Sequence, residues 1–439
     1  MKKILLAYES ARRELDYLIV LKNSLEARGY RCELACVYFN LVSMIYSFVP
    51  HILVMPWTRS DSVYFKAALD VNKNMIIIDT HAEQLLDAEQ AEYVLGRHSK
   101  KVADYHLVWG PHFRDRWLGD VNDNVYVVGN MRMDLYGPPY DRLFSSDLKQ
   151  HWGLEGKRII LFISSFGGVF YPEESVTLHE KTFKNIRNEI SEAKRQIAAI
   201  SGFVAEFLSA NRYPDLMFVI RPHPTDNVTG LRKYFPKSER LGIIASGGIH
   251  EWIVNADAVF SCISTAILDS YMMAKPSWIV ETEGATHNKA SHMRFAKAVN
   301  NFQDFKGAIE AALAGEYDPS LYWHRTELEK YVADNYGIID GRSFDRMVQA
   351  IDDICRRGKT LKNINIQNVQ AFDIVKSRLK EKIKTTLADK HILGLTKRWS
   401  VLQKEYVTRD EMDRRGESFK TILSNVRRSS LKTTPTQIV

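Results

Sequence analysis

Residues 216–226 read LMFVIRPHPTD, and this stretch indicates the fold more clearly than any other part of the sequence. The apolar run at its start predicts a strand that is covered on both faces, as in a parallel sheet. An arginine and a histidine follow at once, in a loop that Pro222 and Pro224 stiffen. In α/β folds, loops at the carboxyl ends of strands form the ligand-binding edge. The stretch therefore predicts a doubly wound α/β domain with a polar loop at that edge.

Short apolar runs separated by helical stretches recur on both sides of this strand. Those in the first half are residues 4–7, 32–38, 51–55, 75–78, 106–109 and 125–128, and those in the second half are residues 158–164, 217–220, 242–245, 258–261 and 277–281. The pattern breaks at GPPYD and HWGLEGK, near residues 136–156. We therefore predict two doubly wound, Rossmann-like domains at residues 1–145 and 157–315, followed by helices at 316–355 and a helical tail at 356–439.

The composition is that of an ordinary globular protein. Of the 439 residues, 45% are hydrophobic and 26% are charged. The four cysteines are scattered without a CxxC pair, so a disulfide framework or a zinc site is not predicted. The N-terminal apolar run stops at Glu9, too early for a signal peptide or a membrane span. We expect this run to be a buried strand and the protein to be cytoplasmic.

The net charge of +7 is unevenly distributed. Residues 355–439 contain 20 Lys and Arg against 8 Asp and Glu, so the rest of the chain is mildly acidic. Within this tail, residues 374–395 place apolar side chains at helical spacing among lysines. Such a helix can lie on an anionic membrane surface, at the inner face of the inner membrane, or can pack on the acidic body. Nucleic-acid binding is disfavoured because the tail lacks regularly interleaved aromatic residues.

Candidate donor-binding residues follow four strands of the second half. Arg221 can pair with a phosphate, and His223 can donate a hydrogen bond to a leaving phosphate. The small hydroxyl residues near a predicted helix start, the Gly-Gly turn and the acidic strand end are further candidates: Ser261, Ser264, Thr265, Gly247, Gly248 and Glu281. The alternative for each is structural, as a rigid turn, a helix cap or a solvated side chain.

The first half has its own polar segment, ESARRELD at residues 9–16, directly after the first strand. Its carboxylates can act as a general base or bind an acceptor, and we take Glu9 and Asp16 as the candidate bases. Candidate acceptor-binding residues are Arg12, Arg13, Glu14 and, from the THAE cluster after a later strand, His81. The alternative is helix capping with surface ion pairs, which contribute little. The spacing of these residues does not predict a metal site.

Four segments together resemble a known family: RRELD at 12–16, VVGNMRMDL at 127–135, RPHPTD at 221–226 and CISTAILDSYMMAKP at 262–276. They resemble the bacterial surface carbohydrate biosynthesis protein family, over roughly residues 1–315. A thinner resemblance extends to Kdo transferases of capsule synthesis, CDP-glycerol glycerophosphotransferases and UDP-GlcNAc 2-epimerases. The resemblance implies the GT-B fold, in which helices such as 316–355 cross back between the domains.

The resemblance also assigns roles to residues. The HP pair, His223 and Pro224, would contact the nucleotide and phosphate of the donor, with His223 counted among the catalytic candidates. Ser261, Ser264 and Thr265 would bind phosphate. The family usually has proline where this chain has Met131, but Asn130 and Arg132 are retained and are assigned to the acceptor.

The implied activity is metal-independent glycosyl transfer without a cofactor. The donor would be a nucleotide-activated sugar, with preference for a CMP-linked ulosonic acid such as Kdo. The acceptor would be a glycan or lipid-linked precursor of a surface polysaccharide, as in capsule or lipopolysaccharide. Alternatives are a CDP-glycerol-type glycerophosphotransferase, a UDP-sugar-dependent transferase, a UDP-GlcNAc 2-epimerase-like enzyme and a non-catalytic interaction protein.

Overall fold

The structure is a computed structural model that describes residues 1–59, 62–85, 95, 102–138, 140, 147–181, 184–223, 226–282, 292–357, 371–389 and 406–430. Internal contacts divide the chain into two units. The first unit is Met1–Leu143 together with Val332–Val439, and the second is Phe144–Tyr331.

The first unit is built on a parallel sheet with the strand order β2-β1-β3-β4-β5-β6. Its strands are β1 (Lys3–Tyr8), β2 (Arg31–Cys36), β3 (Ile52–Met55), β4 (Ile76–Asp79), β5 (Tyr105–Val108) and β6 (Val125–Val127). Every residue of β3 and β4 is buried, because a parallel sheet is covered by helices on both faces.

The helices of this half lie between and after the strands. They are α1 (Asp16–Glu26), α2 (Leu41–Phe48), α3 (Val63–Val71), α4 (Pro111–Trp117) and α5 (Met131–Asp134), and a π-helix, Ala11–Leu15, leads into α1. In α2, Leu41, Ile45 and Phe48 belong to the buried core with β1 and β3. Their spacing of four and three residues places them on one face of the helix, which explains why that face packs on the sheet.

The second unit is built on a parallel sheet with the order β11-β10-β7-β8-β9. Its strands are β7 (Arg158–Ile163), β8 (Leu216–Arg221), β9 (Leu241–Ile243), β10 (Ala258–Ser261) and β11 (Ser277–Ile279). Its helices are α6 (Asp147–His151), α7 (Glu173–Glu180), α8 (Ile186–Ser209), α9 (Val228–Tyr234), α10 (Ile249–Asn255), α11 (Ala266–Met272) and α12 (Phe302–Ala314). Both units therefore confirm the predicted class of two Rossmann-like α/β domains.

The chain returns to the first unit at Val332, within helix α13 (Arg325–Tyr336). Three further helices follow: α14 (Ser343–Arg357), α15 (Ala371–Asp389) and α16 (Arg409–Ser430). The chain leaves β6 through Gly129, and Asp134, at the end of α5, accepts a 2.9 Å hydrogen bond from the amide of Phe344 at the start of α14. The finer division of the chain into four segments stays a prediction.

The two tail helices pack on the first unit. Arg415 of α16 donates to the Asp16 carboxylate at 2.8 Å, and Phe419 is only 3% exposed. In α15, Glu381 accepts a hydrogen bond from Ser43 of α2, and Ala388 is buried. Within the described parts of the chain, we find no helix long and apolar enough to cross a membrane.

The turn after β6 requires a glycine, and this can be tested by substitution. Gly129 has φ of +87°, and an added Cβ would lie 2.6 Å from Ser343 Oγ. We expect Gly129→Ala to lower the apparent melting temperature by about 4 °C or more, because strain and a clash act together. Gly119→Ala is the matched control, since its Cβ would meet no atom within 4 Å. Equal melting temperatures for the two variants in a fluorimetric melt would contradict this account.

Candidate functional site

The first sheet has a switch point between β1 and β3, where the strand order reverses. Ligands of open α/β sheets bind outside the carboxyl ends of the strands at such points. The chain leaves β1 at Tyr8, passes Glu9 and Ser10, and enters the π-helix Ala11–Leu15. Single-turn π-helices are rare and occur frequently at functional sites. The segment ESARRELD therefore lies where the sequence predicts it, at the ligand edge of its sheet.

Glu14 is the buried carboxyl group of this edge, with 2% of its surface exposed. Its Oε2 accepts a 2.7 Å hydrogen bond from the Glu9 amide, and its Oε1 accepts a longer one from the Ser10 amide. Burial raises the pKa of Glu14 to about 7, although Arg13 and the two amides oppose the shift. A carboxyl group with a pKa near neutrality can exchange a proton at the pH at which most enzymes work.

Arg13 holds three carboxylates together. Its guanidinium lies 3.5 Å from Glu14, 3.6 Å from Glu9 and 3.6 Å from Glu83, which belongs to the segment after β4. Burial alone would lower the pKa of Arg13, but these three carboxylates raise it above its ordinary value. The side chain is still 34% exposed, so the cluster is open to solvent on one side. Glu83, the last residue of the THAE cluster, thus joins the candidate site.

The segment after β6 contributes the other wall. Asn130 accepts a 3.1 Å hydrogen bond from the Arg132 amide and so caps α5, and the Arg132 guanidinium lies 5.9 Å from the centre of the Trp109 ring. Arg13, Glu14, Asn130 and Arg132 line one recess of about 20 Å³. The Asn130 Nδ2 atom has no hydrogen-bond partner among the described residues. Asn130 and Glu14 thus line the same small recess, and amide and carboxyl groups are both able to bind a hydroxyl group.

His81 follows β4 in a different setting. Its ring is 5% exposed, its Nε2 lies 2.9 Å from His106 Nδ1, and its backbone has φ of +45°. Asp79 accepts hydrogen bonds from the His81 amide and the Thr58 hydroxyl. Ligand atoms of Asp79, His81 and His106 lie within 4.8 Å of one another, and a hydrogen bond joins the two imidazole rings. The cluster fixes the turn that carries Glu83, and acceptor binding by His81 itself stays a prediction.

The two remaining residues of the segment differ in environment. Arg12 is partly buried in the same π-helix. Asp16 is 4% exposed, and its carboxylate is paired with Arg415 of α16. This pair occupies one of the carboxylate oxygens. A structural role for Asp16 follows directly from the contact, and its role as a base stays a prediction.

The switch point of the second sheet lies between β7 and β10. Ser164 follows β7, and Ser261 ends β10; both have no exposed surface. Ser261 donates a 3.0 Å hydrogen bond to the Ile163 carbonyl and accepts one of 3.2 Å from the Ser264 amide. The Ser264 hydroxyl in turn accepts a hydrogen bond from the Ala266 amide, at the start of α11. These bonds shape a hydroxyl-lined turn at the predicted ligand edge, which Thr265 completes.

Asp226 organises the loop after β8. Its Oδ2 accepts hydrogen bonds from the Ser164 hydroxyl and from the His223 amide. The His223 side chain is exposed at this edge of the sheet, while Pro224 and Thr225 lie outside the described residues. Ser164 and Asp226 were not among the predicted site residues. Their positions, one directly after a strand and one closing the RPHPTD loop, are the signal that could have identified them.

Arg221 lies deeper than the sequence indicates. It is 4% exposed, and its Nη1 donates to the carbonyls of Ile244 and Ser246 at 2.9 and 2.8 Å. Its Nη2 donates to the Gly247 carbonyl. The guanidinium therefore holds the Gly-Gly turn in place, and direct contact of Arg221 with a phosphate stays a prediction.

The Gly-Gly turn has little room for side chains. Gly247 has φ of +81°, and an added Cβ at Gly248 would lie 2.5 Å from the His250 ring. Glu281 follows β11, partly exposed, with its amide bonded to the Val299 carbonyl at 3.0 Å. The predicted donor-binding roles of these three residues stay predictions.

Comparison with known proteins matches this chain by fold only. No family model and no curated protein sequence matches it. The S. aureus MnaA–UDP co-structure has a TM-score of 0.52 at 15% identity, covering 81% of this chain and 97% of that chain. The Methanocaldococcus jannaschii UDP-GlcNAc 2-epimerase, in complex with UDP-GlcNAc and UDP, has a TM-score of 0.52 at 11% identity, covering 80% and 100%.

The wall teichoic acid polymerase TagF has a TM-score of 0.52 at 10% identity, covering 82% of this chain and 90% of that chain. At these identities the likeness shows the fold alone. The fold is that of GT-B-type proteins, with two parallel, Rossmann-like sheets.

Proposed function

We propose that this protein is a glycosyltransferase that moves a sugar from a nucleotide-activated donor to a hydroxyl group of a surface-polysaccharide precursor. The observation that carries the proposal is Glu14, a carboxyl group with a pKa near neutrality at the switch point of the first sheet. The surrounding cations and the Asn130 amide suit a hydroxyl-rich acceptor. A general base is the one group that such a transfer requires from the acceptor side.

The donor is assigned to the second unit. Its switch point offers the hydroxyl-lined turn at Ser261–Thr265 and the exposed imidazole of His223, both suited to a phosphate. The preferred donor from the sequence is a CMP-linked ulosonic acid such as Kdo. UDP-sugars and CDP-glycerol are the other donors to compare, since the solved structures of similar fold are named for UDP, UDP-GlcNAc and CDPG.

In the proposed reaction, the Glu14 carboxylate takes the proton of an acceptor hydroxyl. The hydroxyl oxygen forms a bond to the anomeric carbon while the bond from that carbon to the donor phosphate oxygen breaks. The nucleotide leaves with the electron pair of the broken bond, and the developing charge is met by hydrogen-bond donors instead of a metal ion. His223 would donate one of these hydrogen bonds.

An epimerase of UDP-GlcNAc is the second candidate, because one of the compared structures carries that name and another holds UDP. The two activities separate cleanly. An epimerase converts its nucleotide-sugar without an acceptor, whereas a transferase needs one. Turnover of UDP-GlcNAc by the protein alone, followed by nuclear magnetic resonance, would favour the epimerase and exclude the transferase proposal.

Nucleotide binding gives a direct test of the donor site. We expect one of CMP, CDP or UDP to raise the melting temperature, and His223→Ala to weaken that nucleotide about tenfold, the effect of one lost charge-assisted hydrogen bond. His324→Ala is the matched control, since this histidine is also an exposed residue of the second unit. If no nucleotide protects the protein, a non-catalytic interaction protein becomes the better interpretation.

A further inference from the structure

Helix α15 turns an apolar row toward solvent. Val375, Leu379 and Ile383 are 63%, 57% and 51% exposed. Their spacing of four residues places them along one line of the helix, about 12 Å from end to end. An apolar row on a helix of a globular protein is usually buried, so its exposure indicates a surface that binds a partner.

Cations flank this row on both sides. Lys376, Lys380 and Lys384 lie one position beyond each apolar residue, and Arg378 and Lys382 lie one position before Leu379 and Ile383. The arrangement has the composition of helices that lie in a membrane interface, with an apolar line between two rows of basic side chains. The interface of an anionic bilayer complements both the apolar line and the basic rows.

The opposite side of α15 holds it on the first unit. Glu381 accepts a hydrogen bond from Ser43, and Lys384 Nζ donates to the Tyr38 carbonyl at 2.7 Å. Ala388 is 1% exposed. The helix is thus oriented by contacts along one side, and the exposed row is a consequence of that orientation.

Beside the helix is a cavity of about 370 Å³ that extends to α2 and α3. Lysines line it from both sides: Lys66, Lys376, Lys380 and Lys384. Tyr38, Tyr46 and Tyr64 add aromatic surface, and Asp70 is the one carboxylate among the described lining residues. This excess of positive charge suits a phosphate group, which a phospholipid headgroup carries.

We propose that α15 docks this protein on an anionic lipid bilayer. Val375, Leu379 and Ile383 enter the interface, Arg378, Lys380 and Lys382 meet lipid phosphates, and the lysine-lined cavity receives one headgroup. The inference rests on α15 and its surroundings and does not depend on the reaction proposed above. Tyr38 connects α15 with the candidate site. Its backbone carbonyl accepts a hydrogen bond from Lys384, and its side-chain hydroxyl donates one to Glu9.

Vesicle flotation of the full chain tests the proposal. We expect binding to phosphatidylcholine vesicles that contain phosphatidylglycerol, little binding to phosphatidylcholine alone, and release in about 1 M salt, where the Debye length is about 3 Å. Replacing Arg378, Lys380 and Lys382 by glutamine should weaken binding about 100-fold, or about fivefold for each charge. The control replaces three exposed lysines of the second unit, Lys181, Lys194 and Lys233, by glutamine.

The apolar row needs its own variant. Changing Val375, Leu379 and Ile383 to serine should weaken vesicle binding about tenfold or more, because less apolar surface enters the interface. The control changes three equally exposed residues to serine, Leu178, Leu321 and Ile338. Vesicle binding that survives the row variant would overturn the proposal. If that variant instead converts a dimer to a monomer in light scattering while vesicle binding persists, the row is an interface between two copies of the chain.

Discussion

Replacing Glu14 by glutamine should lower kcat by about 10²- to 10⁴-fold, the range that a general base contributes. The glutamine side chain is nearly the same size and would still accept a hydrogen bond from the Glu9 amide. It would lack the ability to take a proton. Donor affinity should change little, because the donor is assigned to the other unit. The measurement is steady-state kinetics with the preferred nucleotide-sugar, together with a melting curve to verify folding.

The assignment of Glu14 as the base also predicts how activity and stability change with pH. The folded-state pKa of Glu14 is about 7, against an ordinary value of 4.5. The carboxylate is the active form of a base, so activity should fall as pH decreases through about 7. Stability moves the other way, because between about pH 4.5 and 7 the native state keeps a proton that the unfolded chain has released. Raising the pH over that interval should therefore remove stability while it adds activity.

Glu9→Gln and Asp16→Asn are the informative comparisons. The sequence assigned the base to these two residues, and they lie within seven positions of each other. Asp16 is bound to Arg415, so Asp16→Asn should lower stability more than kcat. Two results together would show that Glu14 is not the base. Glu14→Gln would keep full activity, and either Glu9→Gln or Asp16→Asn would lose activity while the pH profile keeps its shape.

The fold could be predicted because its strands are short apolar runs that identify themselves locally. Residues 4–7 and 216–220, for example, lie within β1 and β8. A strand buried on both faces needs apolar side chains at every position, and the sequence records that requirement without reference to distant residues. The position of the ligand edge could be predicted for the same reason, since polar residues appear where each apolar run ends.

The contacts within the site could not be predicted, because they join residues that are far apart in the sequence. Nothing local in RRELD indicates that Arg13 meets Glu83, or that Asp16 meets Arg415. The exposure of the apolar row of α15 is likewise a property of the helix's neighbours. The sequence shows an amphipathic helix, but only the contacts of Glu381 and Lys384 decide which side faces the protein.

The contacts of Arg221 are the clearest example of contacts that the local sequence does not predict. An arginine at a strand end, before His223, is typical of a phosphate ligand. In the folded chain its guanidinium is buried and donates to the carbonyls of Ile244, Ser246 and Gly247. Those carbonyls belong to the segment after β9, whose position next to β8 follows from the sheet and not from the local sequence.

Arg221→Gln should therefore destabilise the second unit before it affects any ligand. Loss of the guanidinium leaves buried carbonyls without their donors, and we expect a cost of about 3 kcal/mol or more. Arg221→Lys should recover only part of the loss, because one ammonium cannot reproduce a planar fork that reaches three oxygens. Arg212→Gln is the matched control, since that arginine is 65% exposed and pairs with Glu310 on the surface of the same unit.

Chemical denaturation and nucleotide titration together separate the two roles of Arg221. If Arg221 is a positioning residue, Arg221→Gln lowers the unfolding midpoint of the second unit and weakens nucleotide binding through the displaced Gly247–Gly248 turn. Arg221→Lys then restores both properties in part and in parallel. A direct phosphate ligand gives the opposite pattern, in which Arg221→Gln unfolds like the wild type but binds nucleotide at least about tenfold more weakly. Since the guanidinium already donates to three carbonyls, we expect the first pattern; observing the second would return Arg221 to the donor-binding role that its sequence context indicates.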